Sequence, residues 1–280
     1  MAVIECQNLI KIHKQGTLEV VALQGLDFAM SEGEFVAVVG KSGAGKSTLL
    51  KILAGMERPS AGAVAVAGLD LTDVSSRELV QHYRSDIGFL WQDFTRNLLP
   101  YLNAVKNVEV PMLLAGVGRK ARRTRALALL DAVGLRSQAF ANVGTMSGGE
   151  QQRLAMCVAL AMAPTLLLAD EPTGELDTVT SIEIYELLRR LCAEAGLSVL
   201  VVTHDVALAQ RADRVVRLAD GRMLTERKLG RTVDSLAVDS AGSVRIPYEL
   251  LIQTGITDRV TAEVVEDGLL LRPEEDSDGA

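Results

Sequence analysis

The chain has 280 residues, 48% hydrophobic, 4% aromatic and 23% charged. That composition suits one large domain with a buried core plus a smaller one, and argues against a fibrous or disordered chain. Its net charge of −7 is lopsided: from Val233 onward eleven acidic residues face three basic ones, Arg245, Arg259 and Arg272, which marks the tail as a separate module. The rest carries 25 acidic and 26 basic residues, with no excess of either sign.

Cys6, Cys157 and Cys192 are scattered, without a C-x-x-C spacing. Neither a disulfide framework nor a zinc site is expected, and a reducing compartment fits. Met1-Ala2-Val3-Ile4-Glu5 meets charge at once, so no signal peptide is expected. The longest uncharged run, residues 154–169, is divided by Pro164 and falls short of the roughly 18 apolar residues a span needs. The chain is not expected to cross a membrane by itself.

Residues 2–30 read as short strands and turns. Residues 20–23 and 27–30 bracket a turn at Gly25, and residues 31–34 form another. Residues 35–39, Phe-Val-Ala-Val-Val, suit a strand buried on both faces. There follows Gly40-Lys41-Ser42-Gly43-Ala44-Gly45-Lys46-Ser47-Thr48, then a helix. This is G-x-x-x-x-G-K-S-T in its required strand–loop–helix setting, a P-loop for a nucleoside triphosphate. Its glycines let backbone N–H groups curl round phosphates at a positive helix end. Lys46 can reach the β- and γ-phosphates, and the Ser47 hydroxyl can ligate magnesium.

Residues 62–68 and 86–91 read as further strands, the second leading to Gln92. Residues 103–114 are helix-like, with Pro111 expected to kink or end the helix. Residues 121–133 form a stronger helix closed by Gly134. Arg119, Lys120, Arg122, Arg123 and Arg125 crowd its start, as a solvated face or as a contact for anionic lipid or a partner. Ser147-Gly148-Gly149-Glu150 opens the next helix with a capping box, and two glycines bare its positive end to an anion. Residues 165–169 and 198–202 are two more doubly buried strands, ending in Asp170-Glu171 and in Thr203-His204-Asp205, with a helix over 182–195 between them.

Strands alternating with helices argue a parallel α/β sheet, where ligands bind at the carboxyl ends of strands. The P-loop, Asp170, Glu171 and His204 all fall at such ends. Asp170 is placed to hold magnesium, Glu171 to take a proton from attacking water, and His204 to contact a γ-phosphate.

Taken together the chain resembles the nucleotide-binding subunit of an ABC transporter. Residues 146–153, Met-Ser-Gly-Gly-Glu-Gln-Gln-Arg, are similar to the family signature. Gln92 matches its Q-loop glutamine, residues 166–171 its Walker B strand with catalytic glutamate, Glu175-Leu176-Asp177 its D-loop and His204 its switch histidine. The match covers residues 1–224. Residues 88–94, 107–116 and 169–174 resemble the lipoprotein-releasing and macrolide-efflux subgroup, with cell-division ATPases of the same lineage close behind. The resemblance implies an α/β P-loop NTPase (RecA-like) core with an antiparallel β subdomain and an α-helical subdomain, about residues 94–163, that receives a coupling helix. It implies an ATPase using ATP and Mg2+, with Ser47, Gln92 and Asp170 on the metal and Glu171, His204 and Gln92 in hydrolysis. Two copies would close head to tail, each ATP lying between one P-loop and the partner's Ser147, Gly148, Gly149 and Glu150, with Asp177 nearby.

A separate membrane permease would move a hydrophobic, lipid-like or peptide substrate, with this subunit peripheral at the cytoplasmic face of the cell membrane. The alternative is a cell-division-type or signalling ATPase that regulates a membrane partner without transport. A soluble DNA-acting ATPase is not expected, since the helical insert is short and no long heptads interrupt the chain. Three positions depart from the pattern. His13 aligns with the adenine-stacking aromatic and stacks less. Trp91 replaces a usual phenylalanine and is read as core packing. Glu175 replaces a frequent asparagine.

The tail, after a linker over 225–233, reads as two short strands about a glycine turn (236–247), a short helix (248–254) stopped by Gly255, and a hairpin of 260–265 with 269–271 about Asp267-Gly268. This order resembles the AbrB-type swapped-hairpin domain. That resemblance implies a dimerisation module over 234–280 with a frayed acidic end. Ser243 replaces the arginine usual after the glycine, and the acidity of the tail opposes phosphate, so no nucleic acid is expected.

Overall fold

The structure, a computed structural model, describes residues 1–16, 18–174 and 176–229, and in the tail 235–236, 238, 242, 244, 246, 248–256, 260–265 and 268–273. The expectations at Glu175, Ser243, Pro247, Asp267 and 274–280 lie outside the described residues.

Strands β1 (Ala2–Gln15) and β2 (Leu18–Ser31) pair antiparallel along their length. The turn expected at Gly25 is absent; β2 runs straight through it. A bulge takes its place: the register slips between Cys6 and Leu9, Asn8 and Gly25 have φ of 48° and 69°, and the Asn8 N–H donates to Asp27 Oδ1 at 2.6 Å. Positive φ at both positions absorbs the extra residue without ending the ladder.

Next come β3 (Phe35–Val39) and α1 (Lys46–Leu53). Then β4 (Ala61–Val66) and β5 (Leu69–Asp70) complete a sheet of order β2-β1-β4-β5. Helix α2 (Ser76–Ser85) is opened by the Ser75/Glu78 capping box and leads to β6 (Ile87–Leu90). Three helices follow, α3 (Ala104–Leu114), α4 (Arg119–Ala132) and α5 (Gly148–Ala159). Helix α3 neither stops nor starts at Pro111 but runs three residues beyond it. Pro111 has no N–H to give the carbonyl of Asn107, four residues before it, so α3 lacks that one bond.

The chain then alternates: β7 (Leu166–Asp170), α6 (Thr178–Ala195), β8 (Ser198–Thr203), the short α7 (Val206–Ala209), β9 (Arg214–Ala219) and β10 (Arg222–Lys228). The tail holds β11 (Ser235–Leu236), α8 (Tyr248–Thr254), β12 (Val260–Val265) and β13 (Gly268–Pro273). The central sheet has the order β11-β10-β9-β3-β8-β7-β6. Strands β6, β7, β8, β3 and β9 are parallel; β10 and β11 are antiparallel additions.

Strand β3 is buried on both faces because its side chains alternate between two cores. Phe35, Ala37 and Val39 join Leu154, Tyr185 and Leu188, while Val36 and Val38 join Ile4, Leu26, Leu49 and Leu50. The middles of β3, β7 and β8 are therefore apolar, as the sequence suggested, whereas the parallel β9 carries Arg214 and Arg217.

Past the expected boundary at 224, the chain continues in the central sheet. Residues 225–228 are strand, the Leu229 N–H donates to Asp213 O at 2.7 Å, and Ser235–Leu236 pairs with Thr225 and Glu226. Residues 225–228 of the expected linker are thus strand within the central sheet, and 230–233 lie outside the described residues. Beyond it Val238 and Val244 form a β-bridge about Gly242 (φ 79°), and α8 ends at Gly255 (φ 69°). Strands β12 and β13 pair as a two-stranded sheet of their own.

Candidate functional site

The P-loop joins the end of β3 to α1. Two of its glycines are required by packing as much as by any ligand. A Cβ on Gly40 would lie 2.3 Å from Leu218 O, and one on Gly45 (φ 102°) would lie 2.5 Å from Ala22 O. The loop is thus wedged between β9 and β2. Gly43 (φ 81°) has open space round it. Lys46 Nζ donates to Gly40 O (2.7 Å) and Lys41 O (3.2 Å), folding back over the loop. Thr48 Oγ1 lies 3.5 Å from His13 Nε2, so β1 carries His13 to the P-loop.

Ser47 Oγ donates to Asp170 Oδ1 at 3.4 Å, across 123 residues of sequence. Asp170 is buried at the end of β7, and that burial raises its pKa. Glu171 follows in the left-handed region (φ 48°). Its N–H donates to Val202 O, and its Oε2 accepts from the His204 N–H (3.3 Å) and contacts His204 Nδ1 (2.9 Å). The Glu171 side chain is nearly covered while that of His204 is 72% exposed. Gln92 is exposed just past β6, beside β7, on which Leu90 pairs with Ala169. The P-loop, Asp170, Glu171, His204, Gln92 and His13 thus gather at one edge of the sheet.

The signature turn forms a second group. Ser147 Oγ accepts from the Glu150 N–H at 3.3 Å, and Glu150 Oε2 accepts from the Ser147 N–H at 2.8 Å. That backbone bond leads the lowering of the Glu150 pKa. Gly149 lies 3.6 Å, measured from its ideal Cβ, from Leu176 Cδ2. Asp177 caps α6 by accepting from the Thr180 N–H (3.0 Å) and hydroxyl (2.7 Å), which holds its carboxyl below the usual range. Among the described residues no hydrogen bond joins this group to the P-loop.

Trp91 is corrected from core to surface stack. It is half-buried, with Phe89 at 4.4 Å and the Arg96 guanidinium 3.8 Å above its ring. Three of the five cations at the start of α4 have structural partners: Arg122 bonds Val117 O, Arg123 pairs with Glu109 at 3.0 Å, and Arg125 donates to Ala161 O and Leu160 O. Two side-chain contacts had no signal in the sequence. Buried Gln152 donates to Pro172 O, tying α5 to the turn after Glu171. Asn97 accepts from the Trp91 N–H and donates to Phe89 O, fixing the approach to Gln92.

A serine hydroxyl and a buried carboxylate within 3.4 Å are hard oxygen ligands of the kind Mg2+ takes alongside phosphate oxygens and water. A cation there would offset the charge that burial penalises at Asp170. Among the described residues no cluster of three His, Cys, Asp or Glu side chains forms a metal site of another kind.

A sequence profile of the ABC transporter family matches residues 23–174. The chain belongs to the ABC transporter family. The lipoprotein-releasing system ATP-binding protein LolD of Ruegeria sp. (strain TM1040) is 44% identical over 225 residues, 80% of this chain and 98% of that protein. The LolD of Ruegeria pomeroyi is 49% identical over 208 residues, 74% and 90% of the two chains. The dimeric post-hydrolysis structure of the ATP-binding cassette MJ0796, bound to ADP and Pi, superposes with a TM-score of 0.74 at 38% identity, over 81% of this chain and 99% of that one. The chain is an ATP-binding cassette of the ATP-hydrolysing kind with an α/β P-loop core, and no helix among its described residues is long and apolar enough to cross a membrane.

Proposed function

We propose that this cassette hydrolyses ATP at two sites shared by a homodimer and thereby drives a membrane permease. The observation that carries this reading is the convergence of Ser47, Asp170, Glu171 and His204 at the carboxyl ends of β3, β7 and β8. Glu171 takes a proton from water, the water oxygen bonds to the γ-phosphorus, and the bridging oxygen leaves with ADP. His204 holds the Glu171 carboxylate and, being exposed, is free to reach the γ-phosphate. Lys46 exchanges its loop carbonyls for phosphate oxygens. Ser47 and Asp170, with Gln92, would hold Mg2+, which neutralises charge on the phosphates. His13, 3.5 Å from Thr48, would stack on the adenine ring, and Ser147-Gly148-Gly149 would close over the partner copy's nucleotide.

The permease would dock on the helical subdomain. Tyr101, Leu113, Leu114 and Phe140 are exposed apolar residues there, and the Ala104 N–H to Ala141 O bond brings the start of α3 against the 139–142 segment. Exposed apolar side chains on this subdomain suit an inserted helix. The similarity to lipoprotein-releasing ATPases supports a hydrophobic, lipid-bearing substrate and a place at the cytoplasmic face of the membrane.

Glu171→Gln tests the chemistry. It should bind ATP yet lose at least about 100-fold in turnover; near-wild-type turnover would remove Glu171 as the base. Lipoprotein-stimulated ATPase activity of the complex with its permease tests the output.

A further inference from the structure

Tyr185 sits two turns into α6 and is fully covered, its ring 5.8 Å from that of Phe35. Its carbon skeleton is ordinary core, clustered with Val39, Leu188, Val199 and Val201. Its hydroxyl is not. Among the described residues the hydroxyl makes no hydrogen bond, and a buried hydroxyl without one carries its desolvation cost uncompensated. Phenylalanine would fill the same space without that cost. The hydroxyl belongs to the face on which β8 ends. Val199 and Val201 lie on the Tyr185 side of that strand, and alternation puts Thr203 on the same side. The electrostatics agree: burial raises the Tyr185 pKa, the nearby Thr203 hydroxyl opposes the rise, and the Glu171 and Asp205 carboxyls add to it. The unpaired group is thus beside Thr203 and within electrostatic reach of Glu171.

We propose that Tyr185 is a positioning residue for ATP hydrolysis: with ATP bound, its hydroxyl donates to Thr203 Oγ1 and so fixes the loop that carries His204. This rests on Glu171 and His204 being the hydrolytic pair. Three observations lead to it. Thr203 Oγ1 already accepts from the Asp205 N–H at 3.0 Å, which bends the backbone round His204, and a hydroxyl oxygen has a second lone pair for a further donor. His204 in turn meets Glu171 Oε2 through its N–H (3.3 Å) and its Nδ1 (2.9 Å), so any play in residues 203–205 reaches the base directly. Glu171 itself has a φ of 48°, which a non-glycine residue holds only where its surroundings over-determine it. A bond at Thr203 adds one constraint to that set. The loop bearing His204 must shift for its imidazole to reach a γ-phosphate, and a small rotation of the same loop would pair the waiting hydroxyl. Tyr185 also lies eight residues from Asp177, the cap of α6, about 12 Å along the helix. The placement of that helix therefore decides whether the bond forms.

Tyr185→Phe in the full-length chain removes the hydroxyl and nothing else. Without nucleotide it should melt no lower than the parent, since no bond is lost there. Its KM for ATP should stay within about 2-fold while kcat falls about 5-fold or more. A merely structural tyrosine gives the reverse, a lower melting temperature with kcat unchanged. Thr203→Val takes away the other partner and should also lower kcat. The two losses should not multiply: in the Thr203→Val chain, adding Tyr185→Phe should cost less than about 2-fold. A Tyr185→Phe chain that melts lower without nucleotide, or that keeps its kcat, would overturn the proposal. So would losses that multiply, or a KM that rises in step with the fall in kcat. Glu171→Gln separates this from the hydrolytic pair on which it rests. Near-wild-type turnover in Glu171→Gln would remove the pair. Lost turnover there, with kcat unchanged in Tyr185→Phe, would remove the role of Tyr185 alone.

Discussion

Asp170 carries a conflict at the scale of one residue. It accepts a bond from Ser47, but burial raises its pKa. A carboxylate whose folded pKa is raised favours the fold below its unfolded pKa, and that contribution is lost as pH rises through the folded value. At neutral pH the ligand-free chain therefore holds an unfavourable charge. Asp170→Asn should melt higher than wild type at pH 7 without nucleotide, and the advantage should fade as pH drops through the carboxylate range. The same variant should lose magnesium-dependent hydrolysis. Equal melting temperatures at pH 7 would show that burial does not strain this site. The P-loop glycines, by contrast, were legible as a motif but not in their separate reasons. Gly40 and Gly45 are fixed by the backbone of Leu218 and Ala22, Gly43 by its φ alone. Gly40→Ala should destabilise the ligand-free chain by about 2 kcal/mol through overpacking, measured by urea unfolding, whereas a purely ligand-facing glycine would cost nothing there.

At the scale of elements, the doubly buried strands were readable because their central residues form unbroken apolar runs. The β9–β10 hairpin was not readable. Its residues alternate charged and apolar, as a half-covered edge does, and that pattern passed for a linker. What holds it is Arg214, 8% exposed. Its guanidinium donates to Glu34 Oε1 (2.7 Å) and Oε2 (3.1 Å), to Glu226 Oε2 (3.1 Å) and to Ala29 O (2.6 Å). One side chain thus joins β9 and β10 to the end of β2 and the turn before β3. Such a contact spans residues about 180 apart in sequence, so no local pattern announces it. Removing one partner of a buried pair leaves the other charge uncompensated. Arg214→Ala should cost about 3 kcal/mol in urea unfolding. Arg214→Lys should recover less than half, because an ammonium cannot reproduce the bidentate fork. Full recovery by lysine would reduce the role to charge alone.

At the scale of the molecule, the functional residues fall into two groups, and no hydrogen bond among the described residues joins the signature turn to the P-loop. The P-loop group lies at the sheet edge; the signature group lies at the start of α5 against Leu176. Their order in the sequence was legible, their separation was not, since spacing along a chain carries no distance between subdomains. If each site takes one group from either copy, two kinds of loss are separable. Lys46→Ala removes a phosphate contact and should weaken ATP binding to the monomer. Ser147→Arg puts a bulky cation at the helix end that faces the partner; it should leave monomer binding intact but abolish hydrolysis. Each variant alone has no intact site. A mixed dimer has one, made of the P-loop of the Ser147→Arg chain and the signature of the Lys46→Ala chain. Mixing the two inactive proteins in equal amounts should therefore restore about a quarter of wild-type turnover, since half the dimers are mixed and each holds one of two sites. The recovered rate should follow the square of total protein concentration when dimers are scarce. Sites built within single chains would yield no recovery at any ratio, and the mixing experiment would then refute the shared geometry.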